Sequence, residues 1–91
     1  MTKEEYCRCR VCGYLEQGEF WVDGEDPTYC ICPSCGCEAG NHDFTLEETR
    51  EYRQKWIDGG MKWVYPDPAC RPIPPNWNPK EQMKYIPPNW L

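Results

Sequence analysis

The pattern of apolar and polar positions predicts its clearest helix over residues 45–58. Thr45 is a suitable N-cap, and Glu48, three residues later, completes a capping-box pattern. Gly59 and Gly60 then end the helix. The apolar side chains of this segment fall broadly on one side of the helix, and they are Leu46, Tyr52, Trp56 and Ile57.

The residues before this helix predict strands and loops. Residues 18–22 and 28–31 are rich in β-forming side chains and predict two short strands. Asp23 and Gly24 lie between them as a hairpin turn, in a loop that is longer than two residues. Residues 1–44 are therefore expected to be β and loop, too irregular to fold without additional support.

Residues 59–91 predict a tail that wraps over the rest of the protein. Eight of the ten prolines lie from Pro66 onward, and repeated prolines do not fit a central strand. The pentapeptide Ile-Pro-Pro-Asn-Trp at residues 73–77 recurs thirteen residues later at 86–90, and Asn78 can cap a short helix between the copies. Because each copy carries Ile and Trp, we expect the tail to pack on the protein's own core. The alternative is a ligand for a proline-reading domain.

Composition changes this picture by showing what must hold so small a chain together. The chain has 91 residues, a mean hydropathy of -0.88 and eight cysteines. One domain of this size buries little apolar surface, so a metal or disulfides are expected to stabilise it. There is no long apolar run for a membrane span, and the first residues have no apolar stretch suited to a secretory signal. We therefore expect a cytoplasmic protein whose cysteines stay reduced and bind metal.

Four cysteines form two C-x-x-C-G motifs, and they are Cys9, Cys12, Cys32 and Cys35. Nineteen residues separate Cys12 from Cys32, a length typical of a zinc ribbon. Each motif can turn tightly and present two thiolates, because the following glycine accepts a positive φ. Two such knuckles facing each other make a tetrahedral four-sulfur site, and we expect one structural Zn²⁺ per chain.

The other cysteines leave several possibilities open. Cys7, Cys30, Cys37 and Cys70 are expected to be buried free thiols. The alternatives are that Cys7 and Cys30 are alternative metal ligands or form a second metal site with Cys37 and either Cys70 or His42, or that these thiols have a disulfide or redox role. His42 is the only histidine and Ser34 the only serine. No nucleophile and base can be assembled from these residues, so we expect no enzymatic activity.

The charge distribution also limits the function. The net charge is -5, and residues 13–49 contain nine acidic residues and no Lys or Arg. Binding to nucleic acid needs clustered cations, so it is not expected. The acidic stretch is either a solvated surface or a face that steers a basic partner.

The two knuckles resemble those of rubredoxin. The resemblance rests on Tyr6, Cys9-x-x-Cys12-Gly13-Tyr14 and Cys32-Pro33-x-Cys35-Gly36, and it implies that iron is the alternative metal. The shorter spacer and the tail depart from that family. The predicted fold is a small metal-stabilised α+β domain over residues 1–91. It comprises a rubredoxin- or zinc-ribbon-like double knuckle with a β-hairpin (1–44), the helix (45–58) and a Pro/Trp-rich tail packed on the core (59–91).

A larger part of the chain resembles small bacterial cysteine-rich proteins that are similar in style to the CPCC proteins. The resemblance covers Cys9-x-Val11-Cys12-Gly13-Tyr14, Tyr29-x-Ile31-Cys32-Pro33-x-Cys35-Gly36, residues 52–63 and residues 76–82. Such proteins often neighbour toxin genes, which implies an immunity role. The sequence departs from their double-cysteine pattern at Ser34.

These observations favour a non-enzymatic zinc-binding interaction module that binds and neutralises a basic bacterial toxin domain. Its oligomeric state is left open. The candidate partner-binding residues lie around the hairpin, and they are Glu19, Trp21, Asp23, Glu25 and Asp26. The alternative for Trp21 is that it covers the metal core together with Phe20. The other functions considered are a rubredoxin-like iron electron carrier, a nucleic-acid-binding zinc ribbon and a structural subunit of a larger assembly.

Overall fold

A computed structural model describes residues 3–65 and 73–91. In chain order its elements are α1 (Lys3–Cys7), β1 (Trp21–Val22), β2 (Asp26–Pro27), α2 (Leu46–Asp58), α3 (Pro79–Met83) and a 3-10 helix (Pro88–Trp90). The architecture is therefore α+β, with one two-stranded sheet and one long helix. Among the described helices, none combines the length and apolar character needed to cross a lipid bilayer.

The hairpin is shorter than the sequence predicts. β1 and β2 pair antiparallel, with Trp21 opposite Pro27 and Val22 opposite Asp26. The turn between them contains two left-handed residues, Asp23 (φ 52°) and Gly24 (φ 77°). The prediction of a strand over residues 28–31 is wrong. Tyr29 has φ 61°, which breaks the extended conformation before the second knuckle.

Helix α1 was not predicted, because residues 1–44 were expected to be β and loop. Its five residues are too few to be stable in isolation. A tertiary contact holds it in place, since the N–H of Phe20 donates to the carbonyl of Tyr6 at 2.9 Å. The Tyr6 ring also lies against Gly24 in the hairpin turn.

Helix α2 forms where the pattern predicts it, and both of its ends are capped. Thr45 Oγ1 accepts a hydrogen bond from the N–H of Glu48 at 3.1 Å and donates to the Glu48 carboxylate. At the other end, the N–H of Met61 donates to the Trp56 carbonyl and the N–H of Gly60 donates to the Ile57 carbonyl. With Gly60 at φ 98°, this is a Schellman motif.

The tail contacts the core, but its two pentapeptide copies are used differently. Ile86 of the second copy is 4% exposed, whereas Ile73 of the first copy is 56% exposed. Between them, the Asn78 side chain caps α3 by accepting from the N–H groups of Lys80 and Glu81. Trp77 packs against the main hydrophobic cluster.

Two arginines fasten the end of the tail to the first knuckle. Arg53 of α2 donates to the carbonyls of Val11 (2.7 Å) and Arg10 (2.8 Å) and to the main-chain oxygens of Trp90 and Leu91. The Arg10 guanidinium lies between two indole rings, 3.7 Å from the centroid of Trp21 and 3.8 Å from that of Trp90. The end of the tail is thus held on the first knuckle.

Candidate metal centre

Four buried cysteine sulfurs meet at the centre of the core. The Sγ atoms of Cys9, Cys12, Cys32 and Cys35 lie within 4.8 Å of one another, and the four residues are 0–3% exposed. The separation is 3.6 Å from Cys9 Sγ to Cys35 Sγ and also from Cys12 Sγ to Cys32 Sγ. A disulfide would need about 2 Å. Four sulfurs placed about 2.3 Å from one ion are about 3.8 Å apart in a tetrahedron. The cluster therefore fits a metal ion.

The two knuckles are built as equivalent halves. In each, the N–H of the glycine after the second cysteine donates to the carbonyl of the first, Gly13 to Cys9 at 2.9 Å and Gly36 to Cys32 at 2.8 Å. Both glycines have φ 82°, as the closing turn requires. An isolated antiparallel bridge follows in each half, between Arg8 and Leu15 and between Ile31 and Glu38.

This equivalence begins before the metal ligands. The motif Tyr-Cys-x-Cys-x-x-Cys-Gly occupies residues 6–13 and recurs 23 positions later at residues 29–36. Cys7 and Cys30 hold matching places, because the Cys7 carbonyl accepts from the N–H of Glu16 (2.9 Å) and the Cys30 carbonyl from that of Ala39 (3.0 Å). The repeat supplies one pair of sulfurs from each half.

Four thiolates can share this buried space only when a cation balances their charge. Burial raises the pKa of Cys32 and of Cys35 well above the ordinary value. Burial acts in the same direction on Cys9, but hydrogen bonds from the thiols of Cys12, Cys32, Cys35 and Cys37 outweigh it, so the Cys9 pKa is lowered. Without a cation the group thus favours a thiolate at Cys9 and keeps Cys32 and Cys35 protonated. A bound divalent ion supplies the charge that lets four thiolates coexist.

The remaining cysteines occupy different environments. Cys37 is buried beside Cys9. Its hydrogen bond with Cys9 raises the Cys37 pKa most and burial adds to the rise, so Cys37 stays a neutral thiol. Cys7 is 9% exposed, whereas Cys30 is exposed. Cys70 lies outside the described residues. Within residues 3–65 and 73–91, no second group of three or more potential ligands comes as close together as the four knuckle cysteines.

The His42 side chain makes contacts that support the backbone just after the second knuckle. Its Nδ1 accepts a hydrogen bond from the N–H of Glu38 at 3.1 Å. Its ring stacks on Tyr52, with centroids 4.6 Å apart. These contacts place the imidazole against α2, and His42 is not one of the residues that form the sulfur cluster.

A layer of hydrogen bonds orients the two knuckles. The Tyr52 hydroxyl donates to the Cys35 carbonyl at 3.2 Å, and burial together with the nearby thiols raises the Tyr52 pKa to about 12. Gln82 of α3 bridges the halves, since its Nε2 donates to the Cys12 carbonyl (3.3 Å) and to Ser34 Oγ (2.9 Å). Such partners hold ligands in position around a metal.

The predicted partner-binding residues divide into two groups. Trp21 is buried in the cluster around the cysteines, and its indole N–H donates to Asp43 Oδ2 at 3.3 Å. This position is the alternative stated for Trp21 above. Glu19 is partly buried and accepts from the N–H of Asp23 at 3.1 Å. Three residues are exposed on the hairpin, namely Asp23, Glu25 and Asp26. Their role in partner binding stays a prediction.

Sequence reasoning missed the residues that hold the knuckles from a distance. Arg53, Gln82 and Asp43 are buried or partly buried and contact the knuckles or the hairpin. Arg53 is 42 positions from Val11, and Gln82 is 48 positions from Ser34. Nothing local in the sequence marks these pairs. The one available signal was for Arg53, because an arginine between Tyr52 and Trp56 faces the core side of α2.

Comparison with known proteins places the chain beside two proteins of Bacillus subtilis. It is 36% identical to uncharacterized protein YozI over a 76-position alignment that covers 65% of this chain and 63% of YozI. It is 30% identical to uncharacterized protein YoaQ over 80 positions that cover 70% of this chain and 68% of YoaQ. The chain thus spans just under two thirds of YozI. No protein-family model matches the chain, and no solved structure is significantly similar to it. On the extent of the YoaQ alignment, this chain belongs to the same family as YoaQ.

Proposed function

We propose that the four knuckle cysteines hold one structural zinc ion and that the protein is a non-enzymatic interaction module. The observation that carries the proposal is the group of four buried sulfurs within 4.8 Å of one another. Four thiolates from two facing knuckles form a closed site, which is the form zinc takes in a structural role. The paired Gly13 and Gly36 turns support a rubredoxin- or zinc-ribbon-like arrangement of the knuckles.

Zinc has a definite energetic role in this proposal. The regular secondary structure of residues 3–45 consists of α1 and two strands of two residues each. Structural zinc supplies on the order of 10 kcal/mol of binding free energy, and that energy becomes folding free energy. Removing the metal should therefore unfold the knuckles. The same four sulfurs can hold iron, as in rubredoxin, and an iron carrier is the second candidate.

The surface charges favour a protein partner over nucleic acid. Residues 13–49 carry nine acidic residues and no cation. Both arginines before this stretch contact aromatic rings, Arg8 with Tyr85 and Arg10 with Trp21 and Trp90. An acidic surface speeds association with a basic protein. We therefore propose that the specific role of the module is to bind and neutralise a basic toxin domain in the cytoplasm, where thiols stay reduced.

We expect a basic toxin domain to be encoded beside the gene of this protein, and the experiment measures association with that domain. The variant Glu25→Lys with Asp26→Lys reverses two exposed charges on the hairpin, and Glu47→Lys with Glu51→Lys makes the same charge change on α2. We expect the hairpin variant to slow association at low salt by about tenfold and the α2 variant to slow it much less. Equal effects would contradict the hairpin interface, and absence of binding by the unmodified protein would contradict the inhibitor role.

A further inference from the structure

We propose that residues 29–31, here called the exposed strip, form a docking surface for a partner segment that carries an apolar side chain between lysines or arginines. The inference deepens the proposed interaction function, on which it rests. It names a larger apolar contact than the hairpin provides, because the Trp21 ring is buried and the exposed apolar side chain of β1 is the smaller Val22.

The internal repeat shows that this surface is covered in one half of the protein and open in the other. In the first repeat, the Tyr6 ring lies against Gly24, and Cys7 is 9% exposed. The matching residues of the second repeat are uncovered. Tyr29 is 61% exposed, Ile31 is 56% exposed, and Cys30 between them is also exposed. The matching residues of the first repeat are Tyr6 and Cys7, which belong to α1 and pack on the hairpin, and the charged Arg8. The second repeat instead presents three consecutive exposed apolar side chains.

The conformation of the strip separates it from ordinary surface side chains. Tyr29 has φ 61°, which is unfavourable for an aromatic residue, and an edge of its ring lies against Gly40. The pairing of Ile31 with Glu38 fixes the other end. The strip is therefore held in position beside the metal centre before any partner arrives, which lowers the entropic cost of binding.

The charges around the strip specify the partner. Pro27 and Tyr29 both lie against Gly40, which brings the end of the hairpin and its exposed acids Glu25 and Asp26 next to the strip. Glu38 pairs with Ile31 on the other side. No Lys or Arg occurs in residues 13–49. An apolar centre with an acidic rim complements an apolar side chain flanked by cations and repels nucleic acid and anionic surfaces.

The test uses the zinc-loaded full chain labelled with ¹⁵N and a capped probe peptide, Lys-Lys-Leu-Trp-Lys-Lys. A second peptide, Glu-Glu-Leu-Trp-Glu-Glu, keeps the apolar pair and reverses the charge. We expect the basic peptide to shift the amide resonances of the exposed strip and of Glu38, and the acidic peptide to leave them unchanged. Ile31→Ser should weaken binding of the basic peptide by at least about fivefold, because it removes the apolar contact.

Ile73→Ser is the matched control, since Ile73 is the same residue type with the same 56% exposure in the tail. Ile73→Ser should leave the affinity for the basic peptide within about twofold of that of the unmodified protein. Equal weakening by both substitutions, shifts centred on α2 instead of the strip, or no binding would each overturn the docking surface. The docking surface would also be overturned if the exposed strip were buried between two copies of the chain. That outcome would appear as a dimer of the unmodified protein that Ile31→Ser dissociates. None of these results would by itself contradict the zinc site or binding to the toxin domain, which the association experiment above tests separately.

Discussion

Replacing Arg53 with methionine tests how the tail and helix α2 hold the first knuckle. Arg53 is buried and donates to the carbonyls of Val11 (2.7 Å) and Arg10 (2.8 Å), whose residues are also buried. Methionine keeps the aliphatic packing but removes this donor from both carbonyls, and also from the less buried main-chain oxygens of Trp90 and Leu91. A hydrogen bond to a charged group contributes about 1.5–3 kcal/mol, so the two together represent about 3–6 kcal/mol.

The lower end of that range is the better expectation. Burial lowers the pKa of Arg53, which means that the folded state bears a desolvation penalty for its charge. Methionine removes this penalty together with the hydrogen bonds. We therefore expect Arg53→Met to reduce the free energy of unfolding by about 3–4 kcal/mol.

Two further variants separate geometry from charge. Arg50→Met is the control on the same helix, because Arg50 is exposed and its Nε donates to the Leu91 main-chain oxygen at 2.9 Å. It should cost less than about 1 kcal/mol. Arg53→Lys keeps the charge but not the planar fork that reaches several carbonyls, and it should recover less than about half of the loss.

The assay is urea denaturation at a fixed concentration of free zinc, followed by tryptophan fluorescence. With a slope near 1–1.5 kcal/mol/M for a chain of this size, the Arg53→Met midpoint should fall by roughly 2–4 M. Equal midpoints for Arg53→Met and Arg50→Met would refute the reasoning. That result would mean that Arg53 does not support the first knuckle.

Three other predictions concern the cluster and its surroundings. Cys32→Ser should lower zinc affinity by more than about 100-fold in competition with a chelator, whereas Cys30→Ser, two positions earlier, should leave it unchanged; similar losses would contradict the ligand assignment. Gly13→Ala should destabilise the protein by about 2–4 kcal/mol, because its backbone has φ 82° and the new Cβ would lie 2.4 Å from the Gln82 carbonyl oxygen. Gly18→Ala meets nothing within 4 Å and should change stability by less than about 0.5 kcal/mol in the same denaturation assay. The Tyr52 hydroxyl should titrate near pH 12, seen by ultraviolet absorbance and absent in Tyr52→Phe. Because its folded pKa lies above the unfolded value of about 10, its contribution to stability is complete below about pH 10 and lost as the pH rises toward 12.

Local signals in the sequence were sufficient to predict the helices whose ends carry clear capping residues. Thr45, Glu48 and Gly60 mark the ends of α2, and each makes the capping contact expected of it. Asn78 and Pro79 likewise begin α3. Cap residues act within one helical turn, so their positions in the sequence describe their contacts directly.

Elements that depend on distant contacts could not be predicted in this way. Residues 28–31 have strand-like composition, but Tyr29 turns to φ 61° and packs against Gly40. The two pentapeptide copies have one sequence, yet Ile86 is buried and Ile73 is exposed, because only the second copy follows α3 onto the first knuckle. Burial of identical segments is decided by where the chain brings them, which composition does not contain.

The metal cluster could be predicted in part from local sequence, whereas the residues that support it could not. Spacing alone selected Cys9, Cys12, Cys32 and Cys35, and these are the four sulfurs that meet in the core. The same spacing says nothing about Arg53 or Gln82, which hold the knuckles from more than 40 positions away. A knuckle is a local turn, whereas its support is tertiary.

The most direct test of the central claim is elemental analysis of the protein purified from its own host, since overexpression can load the wrong metal. The account predicts one zinc per chain, removed only with loss of the native circular dichroism. One iron per chain with visible thiolate-to-metal absorption would contradict the structural zinc site and favour electron transfer. A native protein that carries no metal at all would contradict the metal centre itself.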